Sequence, residues 1–231
     1  LSHTLLNDSI NYDNVSFAND GRTVQYNTLV FDKMIDKALE ENVDYFIITG
    51  DLTFNGEKVS HNELSDKLNK LIEHNIQPLV IPGNHDVNNF TAKDYSADKS
   101  KSTDYINNDD FKNIYKNAGY QNAYSYDKDS LSYIYQTKNN EWLIMLDSTY
   151  SRFNLNEGMI FIGGAVTSLD WLRENLNYAK ENHIECTVFA HHNLINHNPL
   201  FSSLYDLNNK DELLELYKEY DIDFHFSGHL H

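Results

Sequence analysis

Basic residues, cysteines and long apolar runs are scarce in this chain. Its 231 residues include 18 Lys and Arg against 35 Asp and Glu, which gives a formal net charge of -17 at pH 7. Such an acidic balance argues against a surface that follows nucleic-acid phosphates, although bound divalent cations would offset it locally. A nucleic-acid partner is therefore not expected.

The single cysteine excludes an intrachain disulfide. Because Cys186 lies in an apolar run, we expect a small core residue rather than a nucleophile. Exported proteins need not contain disulfides, so the compartment, cytoplasmic or exported, stays open. No segment approaches the roughly 18 to 20 apolar residues of a membrane span, and Leu1 does not begin a recognisable signal peptide.

The composition is that of an ordinary globular domain. Hydrophobic residues make up 40% and charged residues 23% of the chain, and its length suits one α/β domain with a buried core. The chain contains no internal repeat and no low-complexity linker. We therefore predict a single domain over residues 1–231.

Helical apolar spacing alternates along the chain with short apolar runs typical of strands. We predict helices at 24–42, 61–74, 109–118, 167–181 and 209–220. We predict strands at 44–49, 77–81, 123–126, 131–137, 142–146, 186–190 and 223–226. Helix–strand succession implies parallel pairing, whereas the tight connection at 138–141 makes the middle antiparallel or mixed.

The predicted fold class is α/β, with two mixed sheets packed face to face and helices outside. Residues 87–108 carry few apolar side chains and are expected to form a long surface loop. Such a loop is a plausible place for contacts with a substrate.

Polar residues follow four of the predicted strands, each in a loop that contains Gly or His. The loops are Gly50-Asp51-Leu52-Thr53-Phe54-Asn55-Gly56-Glu57, Gly83-Asn84-His85-Asp86, His191-His192-Asn193 and Ser227-Gly228-His229-Leu230-His231. In an open α/β sheet the carboxyl ends of neighbouring strands converge on one crevice, so these loops can meet. Asn offers a neutral oxygen ligand, His a titratable ring and Asp an acceptor that orients such a ring. The loops therefore predict a metal site with a proton donor beside it.

These four loops resemble, in order, spacing and strand context, the motifs of the calcineurin-like metallophosphoesterases. Segments 130–133, 142–147, 163–164 and 192–194 also resemble a bacterial branch of that superfamily common in low-GC Gram-positive organisms. The resemblance extends over essentially the whole chain. It implies a four-layer α/β/β/α sandwich of two mixed β-sheets flanked by helices.

The resemblance also implies a chemistry. Two divalent metal ions would share a carboxylate and a hydroxide, which attacks a phosphodiester, cyclic nucleotides included, or a phosphomonoester. Asp51 would bridge the two ions, and His231 would bind one of them. The other metal site would be completed by Asn84, His191 and His229. Nitrogen and oxygen ligands without thiolate suit Mn, Fe, Zn or Co, and the sequence does not choose among these metals.

His85 would not bind metal in this family. It would stabilise the phosphoryl group and protonate the leaving oxygen, with Asp86 orienting its ring. Of the paired histidines, His191 is the predicted ligand, and His192 would lie behind it or face the substrate.

Simpler explanations exist for individual residues. Asp51 alone could be a turn residue or a helix cap, and Asn84 could adopt a left-handed turn conformation beside Gly83. His225 is expected in the core or the sheet. The remaining histidines are expected to be solvated or locally hydrogen-bonded: His3, His61, His74, His183 and His197.

The first motif of the family, Asp-x-His at the end of the first strand, is missing. Neither His3 nor Asp8 follows a strand or has the required spacing. We therefore expect the chain to be a trimmed piece of a longer protein, cut at both ends, with the missing ligands shortly before Leu1. The metal site served by Asp51 and His231 would then be incomplete.

Two classes of function follow from these observations. The favoured class is a metallophosphoesterase that acts on a small phosphoester. The rival class is a non-catalytic binding or scaffold module on the same fold. Retention of His85 and of all the predicted ligands after the first motif favours the enzyme, whereas the sequence carries no indication of oligomeric state.

Overall fold

The structure, a computed structural model, describes residues 26–96, 100–155, 163–196 and 205–229. Its helices are α1 (Asn27–Glu41), α2 (Lys58–Glu73), α3 (Asn108–Ile114), α4 (Leu169–Glu181) and α5 (Lys210–Glu219). Its strands are β1 (Tyr45–Thr49), β2 (Gln77–Ile81), β3 (Lys93–Asp94), β4 (Lys101–Ser102), β5 (Ser125–Tyr126), β6 (Tyr133–Gln136), β7 (Trp142–Leu146), β8 (Cys186–Ala190) and β9 (Phe224–Ser227). The predicted helices and strands are confirmed, although α3, β5 and β6 are shorter than predicted and β3 and β4 were not predicted.

The helices form where apolar residues recur every three to four positions. In α2 the buried side chains of His61, Leu64, Leu68 and Leu71 share one face. A capping box at Asn107, closed by reciprocal bonds with the third helical residue, begins α3. None of the helices in the described ranges combines the length and apolar character needed to span a membrane.

The main strands form a parallel pair and a larger mixed sheet. β1 pairs with β2 in parallel, from Tyr45 opposite Gln77 to Thr49 opposite Ile81. The five-stranded sheet has the order β5-β6-β7-β8-β9, antiparallel from β5 to β7 and parallel from β7 to β9. The mixed α/β class and the antiparallel middle of the chain are thus confirmed.

Segment 87–108 differs from the surface loop that the sequence predicted. Its described part contains the antiparallel pair of β3 and β4, and Ala92, Tyr95 and Ile106 are buried. Backbone bonds from Asn88 N to Ile106 O (2.9 Å) and from Thr103 N to Ala92 O (3.1 Å) fold the segment back on itself. Val87, Ala92, Tyr95 and Ile106 therefore anchor the segment to the core, whereas Phe90 and Tyr105 are exposed.

Three large apolar clusters connect these elements. One joins the two sheets and contains Leu79, Ile81, Tyr133, Met145 and Phe189. Another packs α1 and α2 against the β1-β2 pair and includes Phe31, Ile35, Leu64, Leu68 and Val80. A third packs α4 and α5 against the larger sheet and includes Ile144, Leu172, Leu176, Val188 and Leu213. Sheet therefore packs on sheet and helices on each sheet, while the complete four-layer arrangement stays a prediction.

Tyr133 connects the two sheets through a buried hydroxyl group. From β6, this hydroxyl donates to Val80 O of β2 (3.0 Å) and accepts from Val80 N (3.1 Å). Gly119, with a φ of 120°, passes so close that a Cβ at this position would overlap the hydroxyl. The position of the Tyr133 ring therefore depends on Gly119, which leaves room for its hydroxyl group, and on β2, which binds that group.

We expect Tyr133→Phe to lower the free energy of unfolding by about 1–3 kcal/mol, because buried polar groups of Val80 lose a hydrogen-bond partner. The matched control is Tyr135→Phe on the same strand, where the ring is only partly buried. That control should change the free energy of unfolding by less than about 0.5 kcal/mol. Urea denaturation measures both values, and equal effects would show that the Tyr133 hydroxyl does not connect the sheets.

Candidate metal centre

The loops that follow β1, β2, β8 and β9 meet, as the sequence predicted. His191 Nδ1, just past β8, lies 2.8 Å from Thr49 O at the end of β1. Gly228 N, past β9, donates to His191 O at 3.0 Å. His85 N, past β2, donates to Asp51 Oδ1 at 3.3 Å. The carboxyl ends of two parallel strand pairs therefore face a common site.

Four side chains from these four loops form a compact group of donor atoms, which we call the donor cluster: Asp51, Asn84, His191 and His229. Nε2 of His191 lies 3.0 Å from Asn84 Oδ1 and 3.0 Å from His229 Nδ1. The same atom lies 3.4 Å from Asp51 Oδ1. Asp51 and His191 are buried, whereas Asn84 and His229 are half-buried, so the cluster reaches the surface on one side.

The tautomer of His191 follows from its contact with Thr49. A backbone carbonyl can only accept, so His191 Nδ1 carries the proton that it donates to Thr49 O. In a neutral ring, Nε2 then presents its lone pair to the oxygen atoms of Asn84 and Asp51. Several acceptor atoms therefore point at one another, an arrangement that a cation between them stabilises.

The spacing of the donor cluster fits a divalent metal ion. Ligand atoms at about 2.1 Å from such an ion lie about 3.0–3.4 Å apart in octahedral or tetrahedral coordination. The measured separations from His191 Nε2 are 3.0, 3.0 and 3.4 Å. A set of two imidazoles, one amide oxygen and one carboxylate suits Mn, Fe, Zn or Co.

Close packing of backbones brings the loops to this distance. A Cβ at Gly83 would overlap Asp51 N, and a Cβ at Gly50 would lie 2.6 Å from Gly83 N and 2.6 Å from His191 Nδ1. Asp51 (φ 52°) and His229 (φ 69°) are themselves in the left-handed region. Non-glycine residues in this region carry strain, which concentrates at functional sites.

The structure tests the simpler explanations of Asp51 and Asn84, namely that each is only a turn residue. Asp51 does have a turn conformation, but its carboxylate also faces the donor cluster. Asn84 is not among the residues with positive φ in the described ranges, so the left-handed turn expected as its alternative is wrong. Its side chain instead directs Oδ1 towards His191.

The carboxyl group of Asp51 is held in its ionised form. Burial acts to raise the pKa of Asp51, but the nearby rings of His191, His85 and His229, when they are protonated, and the bond from His85 N outweigh burial and hold this pKa well below its usual value. Asp51 therefore supplies a negative ligand to any cation bound by the donor cluster.

Asp86 does not orient His85, which corrects the sequence-based expectation. Its Oδ2 accepts from Leu52 N (3.0 Å) and Gly83 N (2.7 Å), and its Oδ1 accepts from Thr53 N (2.9 Å) and Thr53 Oγ1 (3.0 Å). Within the described part of the chain, no hydrogen bond joins its carboxylate to the His85 ring. The carboxylate is fully buried and joins the loop after β1 to the loop after β2.

His85 is oriented by the turn that follows Asp51. Its Nδ1 lies 2.7 Å from Phe54 O and 3.4 Å from Asn55 Oδ1, so Nδ1 carries the donated proton. Gly56 (φ 75°) packs directly on this loop, since a Cβ there would lie 2.8 Å from Asp86 O. The remaining ring nitrogen, Nε2, is therefore the one that can exchange a proton with a substrate.

His192 lies beside the donor cluster but is bonded elsewhere. Its Nδ1 lies 2.9 Å from Ser148 Oγ. Burial, and then the effect of the His191 ring when it is protonated, lower the pKa of His192 well below the usual value, against the opposing effects of Asp51 and a bond to the Ser148 backbone. Ring nitrogens of His191, His192 and His229 lie within 4.8 Å of one another, so geometry alone leaves all three as possible ligands. His231 lies outside the described residues.

Sequence reasoning missed three residues that shape this site: Thr49, Phe54 and Ser148. Thr49 and Phe54 act through carbonyl oxygens of the main chain, which no side-chain pattern reveals. Ser148 lies just past β7, so the signal that marked the other loops, polar residues after a strand, could have found it.

Two further histidines, His61 and His225, can be compared with the sequence-based expectations. His61 is buried rather than solvated, with Nε2 3.0 Å from Asp86 O and Nδ1 2.8 Å from Tyr115 Oη. The sequence could have indicated this burial, because His61 lies on the apolar face of α2. His225 lies in β9, as predicted, with Nδ1 2.8 Å from Tyr217 Oη.

The fold and the donor cluster define a class of protein, the mixed α/β proteins whose parallel strands end in a cluster of side chains of the types that bind metal ions. A model of the calcineurin-like phosphoesterase family matches residues 25–231, and the chain belongs to this family. A comparison with curated proteins found no match. The family consists in general of metal-dependent phosphoesterases that use divalent metal ions.

We expect Asp86→Asn to lower the free energy of unfolding by about 2–5 kcal/mol, even with a chelator present. An amide has only one oxygen, so its nitrogen faces either the backbone N–H groups of Leu52 and Gly83 or that of Thr53 and cannot accept from them. The connection between the two loops would therefore weaken. Asp104→Asn, at an exposed position, is the control and should change this free energy by less than about 0.5 kcal/mol. Unchanged stability combined with a loss of activity would contradict the structural role of Asp86.

Proposed function

We propose that this chain is a phosphoesterase that hydrolyses phosphodiester or phosphomonoester bonds in small substrates with the help of a dinuclear metal centre. The observation that carries the proposal is the donor cluster, whose atoms are spaced at 3.0–3.4 Å around the lone pair of His191. Membership of the calcineurin-like phosphoesterase family supports it. Phosphodiesters, cyclic nucleotides included, are the favoured substrate class.

In this proposal the donor cluster holds one divalent ion. Asp51 would also contact a second ion, to which His231 would contribute, and the ions would be Mn, Fe, Zn or Co. When bound, they would supply Lewis-acid charge that polarises the phosphoryl group and makes water more acidic. His191 contributes by keeping its lone pair at Nε2, which the bond from Nδ1 to Thr49 O supports.

His85 has a different role, because its Nδ1 is bonded to the turn at 53–56 and not to the donor cluster. With Nδ1 engaged by the carbonyl of Phe54, Nε2 would hold the proton that the leaving oxygen takes up. Asp51 Oδ1 accepts from the backbone N–H of His85, which ties the proton donor to the metal site. The turn at 53–56 would thus position His85, while Asp86 would fix the loops.

The proposal also includes the arrangement of the helices and sheets in layers. The clusters that join helix to sheet and sheet to sheet support a four-layer α/β/β/α sandwich, formed by a single domain over the chain. The net charge of -17 supports a small phosphoester rather than a nucleic acid as substrate.

We expect chelator-treated protein to have no activity on bis-p-nitrophenyl phosphate, and Mn²⁺ to restore it. Asn84→Ala and His191→Ala should each lower kcat/KM at least about 100-fold, because each removes a ligand atom. The control is His74→Ala at the exposed end of α2, which should match the wild-type value. Full activity in excess chelator would refute a metal-dependent reaction, and inactivity of the full-length protein in every metal would favour the scaffold.

We expect His85→Ala to slow the hydrolysis of aryl phosphodiesters by about 10²–10⁴-fold when the leaving phenol is weakly acidic. The loss should be much smaller for a p-nitrophenolate leaving group, because that group departs without a proton. Steady-state kcat/KM across a series of phenols measures this dependence, with His74→Ala as the reference. An equal loss for every leaving group would rule out His85 as the proton donor.

A further inference from the structure

Ser148 contacts both members of the histidine pair. It lies just past β7 and is fully buried. Its Oγ lies 3.2 Å from His191 N, 3.1 Å from His192 N and 2.9 Å from His192 Nδ1. One hydroxyl group therefore takes part in three hydrogen bonds with two neighbouring residues.

The direction of each bond follows from the valence of a hydroxyl group. A hydroxyl has one proton to donate and two lone pairs to accept with. The backbone N–H groups of His191 and His192 can only donate, so they use both lone pairs of Ser148 Oγ. Its single proton is then the one that can reach His192 Nδ1. In that arrangement the neutral His192 ring carries its own proton on Nε2.

His191 has the opposite tautomer. Its Nδ1 donates to Thr49 O, which leaves the lone pair on Nε2, at 3.0 Å from Asn84 Oδ1. The two rings lie 4.9 Å apart at an angle of 87°, and the ring of His192 lies 4.6 Å from that of His229. His192 is thus close enough to compete for a cation, and the position of its proton decides whether it can.

The surroundings hold Ser148 in this position. Ala165 N donates to Ser148 O at 2.9 Å. Gly164 leaves room for these groups, because a Cβ there would overlap both Ser148 O and His192 Nδ1. The next side chain back, that of Asp147, accepts from Thr149 N at 2.9 Å and from Leu131 N at 3.1 Å.

We propose that Ser148 is a positioning residue that selects His191 over His192 as the metal ligand. Its hydroxyl binds the lone pair of His192 Nδ1 and keeps a proton on Nε2, so neither nitrogen of that ring is available to a cation. It also fixes the backbone from which His191 projects. The inference rests on the metal-binding role of the donor cluster in the proposed function.

Without the hydroxyl, His192 Nδ1 loses its donor. The ring then also adopts the tautomer with the proton on Nδ1, and its Nε2 lone pair competes with His191. The same change leaves the backbone N–H groups of His191 and His192 without their shared acceptor. The donor cluster therefore loses both a defined ligand set and a defined position of His191.

The first test reads the tautomers directly in the whole metal-free protein, by long-range ¹H–¹⁵N correlation of the histidine rings at a pH where they are neutral. We expect His191 with its proton on Nδ1 and His192 with its proton on Nε2. In Ser148→Ala, signals of the second His192 tautomer should grow, and Ser148→Thr, which keeps the hydroxyl, should restore the single form. A wild-type His192 with its proton on Nδ1, shared with the Ser148 carbonyl, would overturn the proposal even if Ser148→Ala does not fold.

The second test measures Mn²⁺ affinity by titration. Ser148→Ala should raise the Kd about 10–100-fold, and Ser148→Thr should recover most of this loss. The matched control is Ser132→Ala, which removes another buried hydroxyl, bonded to Asp147 N (3.0 Å) and Ser168 Oγ (2.9 Å) but not to the histidines. That variant should keep Kd within about twofold, because it leaves the ligands in place.

The outcomes separate this inference from the proposed function. Equal losses of Mn²⁺ affinity in Ser148→Ala and Ser132→Ala would overturn the inference, because they would reflect only a loss of stability. A different result is that the protein shows opposite tautomers of His191 and His192, and a loss of Mn²⁺ affinity in Ser148→Ala alone, yet hydrolyses no phosphoester. That result would support the role of Ser148 and reject the phosphoesterase. If the wild-type protein binds no Mn²⁺, the inference that Ser148 selects His191 as a metal ligand is wrong.

Discussion

The imidazole ring of His191 is held from both sheets, and the candidate site depends on where it is held. Nδ1 donates to Thr49 O at the end of β1, and the backbone N–H of His191 donates to Ser148 past β7. Its carbonyl accepts from Gly228 past β9. Because these groups are buried, losing one partner costs about 1–3 kcal/mol. The ring is therefore fixed in position and in tautomer before any cation binds.

Close approach of the backbones is the constraint that makes this arrangement possible. Gly50 and Gly83 occupy positions where a Cβ would collide with the neighbouring loop, and Asp51 has a left-handed backbone beside them. Such strain persists only where surrounding interactions over-determine the geometry. The four hydrogen bonds accepted by Asp86 supply these interactions, since they join the loop after β1 to the loop after β2. Asp86 thus belongs to the support of the site rather than to its proton chemistry.

Charge connects the composition with the proposed chemistry. A phosphoester is an anion, and a chain with a net charge of -17 repels it at long range. Attraction must therefore come from within the site, from bound cations and from His85. The ionised carboxylate of Asp51 and the lone pair of His191 provide the local negative field that holds such cations. An acidic protein can in this way bind an acidic substrate through a cation between them.

Much of the fold could be predicted because its signals are local. The apolar face of α2 and the apolar runs of β2 and β8 follow from residue spacing, and the structure shows these elements close to the predicted bounds. The convergence of the loops could be predicted too, since parallel strands bring their carboxyl ends together. The fold of segment 87–108 could not be predicted, because the contacts that bury Ala92, Tyr95 and Ile106 exist only when the rest of the core is present.

The sequence by itself determined the order of helices and strands, the loops that carry polar residues, and the family these loops resemble. Only the tertiary structure decided which atoms face each other. It placed the lone pair of His191 against Asn84, paired His85 with the carbonyl of Phe54, and turned Asp86 towards the backbone of the neighbouring loop. The physical reason is that hydrogen bonds are short and directional. Their partners here lie in loops far apart along the chain, and no local pattern encodes their distances.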